Sequence, residues 1–68
     1  MQLTNDQIKL LKRYRGEHDL TYPKLADEIG IGYQPLKRGA NGGNITPRHA
    51  TAINNWLISQ TLRGASNA

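Results

Sequence analysis

The chain has no cysteine, so neither a disulfide framework nor a thiolate metal site is open to it. That absence fits a reducing compartment, and a cytoplasmic location is the expectation. No apolar run approaches the roughly 20 residues that a membrane span needs. Residues 1–7 lack the make-up of a signal peptide, so no membrane association is expected. The residue sets of common enzymes are missing as well. There is no HExxH, no serine–histidine–acid arrangement, and 68 residues leave no pocket-sized core behind paired carboxylates. The expectation is a non-enzyme with no cofactor and no small-molecule ligand.

Two features that mimic chemical motifs fail on inspection. Asn41-Gly42-Gly43-Asn44 is glycine-rich, but it lacks the preceding strand and the Lys-Ser/Thr of a phosphate loop. His18 lies between Glu17 and Asp19, yet side chains of successive loop residues diverge, and no third metal ligand is evident. Residues 17–19 read as a solvated connector.

Acidic residues are absent from the second half. All five (Asp6, Glu17, Asp19, Asp27, Glu28) precede Ile29, where five bases balance them. From Ile29 onward the charges are Lys37, Arg38, Arg48 and Arg63 only, so the net charge of +4 belongs to that half. A phosphate-facing surface requires this kind of segregation.

What is present is a run of helix starts. Thr4 and Gln7 have capping-box spacing, Leu3 and Ile8 form a hydrophobic staple, and Asp6 suits the first turn. Ile8, Leu11 and Tyr14 then make an apolar stripe ending near Gly16. Thr21 caps a second helix with Pro23 early in it and Leu25, Ala26 and Ile29 on one side. Gly30 is placed to end it in the left-handed conformation, and Gly32 to open a third helix at Tyr33. Pro35, as the third residue of that helix, costs no intrahelical hydrogen bond. Gly42 is the expected stop. Thr46-Pro47 starts a fourth helix whose stripe is Ala50, Ile53, Trp56, Leu57 and Gln60, with Trp56 a core residue and Ile58 and Leu62 to one side.

The fold class expected is all-α: a compact four-helix domain over residues 1–62, with a flexible tail over 63–68. A small residue, a glycine four later and an inward aliphatic six after that make helix-turn-helix spacing. At Leu-Ala-Asp-Glu-Ile-Gly-Ile-Gly-Tyr-Gln, residues 25–34, the sequence resembles the Cro- and lambda-repressor-like helix-turn-helix family, and the likeness extends loosely from about Ile8 to Leu57. Gly39 stands where that family usually has a large apolar residue.

An α-helix fits the major groove of DNA. Gln34 can pair with adenine, Lys37 and Arg38 can reach guanine or phosphate, and Tyr33 can touch a thymine methyl or a phosphate. Arg48 would reinforce a phosphate site at the start of the fourth helix. The resemblance implies base reading at Tyr33, Gln34 and Lys37. It further implies phosphate contacts from Tyr22 and near Asn41, and dimerisation after the fourth helix. The expected partner is double-stranded DNA, bound by a small transcriptional regulator, a repressor, as a weak homodimer. Two alternatives stand beside it: a helical protein-binding adaptor or inhibitor, and an excisionase-like architectural DNA binder if residues 39–45 form a hairpin.

Overall fold

Four helices make up the computed structural model, which describes residues 1–66: α1 (Asn5–Glu17), α2 (Tyr22–Ile29), α3 (Tyr33–Ala40) and α4 (Pro47–Ser66). Each start has a local cause. The Thr4 Oγ1 accepts from the Gln7 amide at 3.1 Å, and the Gln7 side chain accepts from the Thr4 amide at 2.8 Å, which completes the capping box. Thr21 accepts from the Lys24 amide, and Thr46 from the His49 amide. These bonds satisfy donors that a helix leaves open at its first turn.

The core takes one fully buried side chain from each helix: Leu11, Leu25, Leu36 and Ile53. Leu3, Ala26, Ala40, Ile45, Ala50, Trp56 and Leu57 complete it. No polar or charged residue is buried as a whole among the described residues, and the one buried side-chain nitrogen without a hydrogen-bond partner is Nε of half-buried Arg15. Gly39 fits the same packing. A side chain there would begin 3.3 Å from Ile45 Cδ1 and 3.5 Å from Leu3 Cδ1. Those two residues fill the space that a larger residue at position 39 would take.

Helices α1 and α4 run in the same direction. Gln7 donates to Asn54 at 3.1 Å and Tyr14 meets Thr61 at 3.0 Å, both pairs being separated by 47 residues. The Thr61 hydroxyl already donates to the Leu57 carbonyl, so the Tyr14 hydroxyl is the donor to Thr61. Tyr14 also packs edge-on against Trp56, with ring centroids 6.1 Å apart. His18 closes the row through its Nε2, 3.1 Å from Gln60 Oε1. The connector residue is thus tied to α4.

The structure bears on two further expectations. Helix α4 continues to Ser66, past the boundary expected at Leu62. No proline follows Leu62, and Arg63 in the last turn complements the negative end of the helix dipole. The rest of the expected tail, residues 67–68, lies outside the described residues. There is also no hairpin at residues 39–45: α3 occupies 39–40, and the chain beyond forms a turn and a segment without strand, whose Ile45 amide donates to the Met1 carbonyl at 2.7 Å. The winged, excisionase-like alternative loses its condition. Among the described residues no helix is long and apolar enough to cross a membrane.

Candidate nucleic-acid interface

Helix α2 ends where Gly30 takes φ +90°, its N–H donating to the Ala26 carbonyl at 2.8 Å. The Ile31 amide donates to the same carbonyl at 3.1 Å, and Ile31 packs against the core. Gly32 is back in extended conformation and caps α3. Buried Ala26 keeps the backbones of α2 and α3 close, and Leu36 anchors α3 from within. The pair is a helix-turn-helix whose outward side is set by the inward direction of Leu36.

That outward side is continuous. Gln34, Lys37, Arg38 and Asn41 stand at intervals of three and four residues, hence on one face of the helix. With Tyr33 they line one open groove, and all five are exposed. Lys37 Nζ lies 5.8 Å from the centre of the Tyr33 ring. No carboxylate lines the groove. The only ion pair among the described residues, Arg13 with Glu17, lies within α1. Five of the seven residues expected at the site therefore share one surface.

The other two lie elsewhere. Tyr22 is half-buried at the start of α2, with its ring under the Arg15 guanidinium at 4.7 Å. Arg48 lines a second depression with Asp27, Gly30, Ile31, Gly32 and His49, which shares no residue with the groove. His49 folds back on its own cap, its Nδ1 3.0 Å from the Thr46 hydroxyl.

Prolines and caps decide which helix-start amides stay open. In α2, Pro23 has no N–H and Lys24 is capped by Thr21, leaving the Tyr22 amide. In α4, Pro47 has no N–H and His49 is capped by Thr46, leaving the Arg48 amide. In α3 no side chain caps the start, and Pro35 lacks an N–H, so the amides of Tyr33 and Gln34 both remain available. The sequence directed attention to the start of the fourth helix and, through the resemblance, to Tyr22 at the start of the second. The start of α3 offers more open donors, beside the groove itself.

Known proteins give no guide. No family model, curated protein or solved structure matches this chain. The surface is therefore judged by its own chemistry. A glutamine amide matches the donor and acceptor edge of adenine, a guanidinium the two acceptors of guanine, and an ammonium either guanine or phosphate. These are side chains suited to a nucleic-acid edge, and they stand on α3 and its C-cap, with Lys37 and Arg38 supplying the positive charge.

Sequence reading missed Arg15, which it counted only as a charge balancing acids of the first half. The cue was faint: a base in the last turn of one helix and an aromatic opening the next, seven residues on.

Proposed function

We propose that this chain is a sequence-specific double-stranded DNA-binding protein of the Cro- and lambda-repressor-like type. It is a small transcriptional regulator that represses by occupying a short operator. The observation that carries the reading is the single groove lined by Tyr33, Gln34, Lys37, Arg38 and Asn41, with no acid in its wall.

Helix α3 has eight residues, about 12 Å of axis, and the major groove is about 12 Å wide. Two turns of helix reach only a few base pairs. Specificity then calls for a second copy on a palindromic site, with half-sites about one turn of DNA apart. Ile58 and Leu62, exposed to 49% and 62%, stand four residues apart on α4 and are the apolar surface available to that copy. Two aliphatic side chains bury far less than the ~1,200 Å² of a stable interface. The dimer is accordingly weak and forms on the DNA.

The test is a mobility-shift comparison of wild type with Gln34→Ala and Lys37→Ala at two salt concentrations. Gln34→Ala is expected to lose preference among duplexes, and Lys37→Ala to lose affinity with a shallower salt dependence. If both variants bind every duplex as wild type does, the reading face is wrong. Equal affinity for heparin and duplex reduces the binding to charge alone.

A further inference from the structure

We propose that Gly43 is the positioning residue for Arg38. Its missing side chain leaves room for the direction in which Arg38 enters the groove, and so for the base that Arg38 reads. The proposal rests on the DNA-reading function above and names a determinant of its specificity outside the reading helix.

The two glycines after α3 serve different ends. Gly42 has φ +83°, and a Cβ on it would meet nothing within 4 Å, so glycine is needed there for conformation alone. Gly43 is the converse. Its backbone lies outside the left-handed region, where any residue could stand. Space is what excludes a side chain: a Cβ would fall 2.7 Å from Arg38 Cγ and 3.1 Å from the Arg38 carbonyl oxygen. The Gly43 amide donates to that same oxygen at 2.9 Å, which pins the loop against the last turn of α3.

The stem of Arg38 therefore lies across the bare Cα of Gly43. The position of Cγ is set by χ1, and a helical residue has two usable χ1 wells because the third drives it into the preceding turn. Glycine at 43 leaves open the well that lays the stem on the loop. A methyl group there expels the stem into the other well and carries the guanidinium away with it. Bidentate recognition depends on a planar fork held in one orientation, so the loss falls on base choice. General attraction to phosphate, which needs only the charge, is kept.

The experiment begins with selection of a preferred duplex by the wild-type protein from a random pool. Affinities for that duplex and for an unrelated one are then measured with Gly43→Ala, Arg38→Ala and the double variant. Gly43→Ala is expected to bind the selected duplex about tenfold more weakly, within the worth of one good base contact. Its affinity for the unrelated duplex should match wild type. In the Arg38→Ala background, where only the 3.1 Å approach to the carbonyl oxygen remains, the same change should cost far less. An equal loss with and without Arg38, or no loss at all, overturns the proposal. A wild type that selects no sequence overturns the DNA-reading function itself, which is a different failure. Three-bond couplings across the Arg38 side chain of the wild-type protein give a readout that needs no variant to fold. The χ1 well that lays the stem on Gly43 is expected to be the main one, and a main population in the other well overturns the proposal.

Discussion

The guanidinium of Arg15 lies 4.7 Å above the ring centre of Tyr22, joining the last turn of α1 to the first residue of α2. Its Nη1 also donates to the Leu20 carbonyl at 3.1 Å, while its buried Nε has no hydrogen-bond partner. The ring face and the carbonyl together offset the desolvation of the cation. Removing the side chain by Arg15→Ala is expected to destabilise the fold by about 1–2 kcal/mol in urea denaturation. Arg15→Lys should not restore it, because an ammonium cannot stack flat and donate sideways together. An Arg15→Ala protein as stable as wild type would show the stack to be incidental.

Two glycine-to-alanine changes should have opposite signs. Gly16 lies inside α1, and a methyl group there would meet nothing within 4 Å, so Gly16→Ala should stabilise by about 0.5–1 kcal/mol. Gly30 has equally open space, but its φ of +90° resists an L side chain. Gly30→Ala should destabilise by about 1–2 kcal/mol. Thermal unfolding followed by circular dichroism distinguishes them, and equal signs would show that backbone conformation is not what glycine supplies at 30.

Asp19 carries the one positive φ of a non-glycine residue among those described, +52°, at the end of α1. The Leu20 amide there reaches back to the Arg15 carbonyl at 3.0 Å, a helix stop that usually employs glycine. Asp19→Gly is expected to stabilise by about 0.5–1 kcal/mol, read as a rise in the urea midpoint at unchanged slope. A drop would mean that the carboxylate holds the connector in some way its geometry does not explain.

Ile58→Asp separates folding from pairing. Ile58 is exposed, so stability should stay within about 0.5 kcal/mol of wild type. Binding to a duplex with two half-sites should lose its cooperativity, while binding to one half-site should persist. Retained cooperativity would move the contact between copies away from α4.

Much of the fold was legible because it is written in local chemistry. Thr4, Thr21 and Thr46 mark helix starts by what a hydroxyl can accept, and Gly30 marks a stop by what its backbone can adopt. Ala26 and Leu36 fix which side of α3 turns outward, and with it the groove residues. Contacts made across turns and between helices were not legible. No periodicity connects Arg15 to Tyr22, Tyr14 to Thr61, or Gly43 to the stem of Arg38. Arg48 shows the same limit: its place at a helix start was foreseen, but not that it would line a depression with Asp27 and with Gly30 and Gly32 of the α2–α3 turn.

The most direct measurement is residue-resolved: amide shift changes followed as a selected duplex is added to labelled protein. The account predicts that the largest changes fall at Tyr33, Gln34, Lys37, Arg38 and Asn41, with Ile58 unaffected by a single half-site. Saturable binding that leaves those five amides unmoved would contradict it.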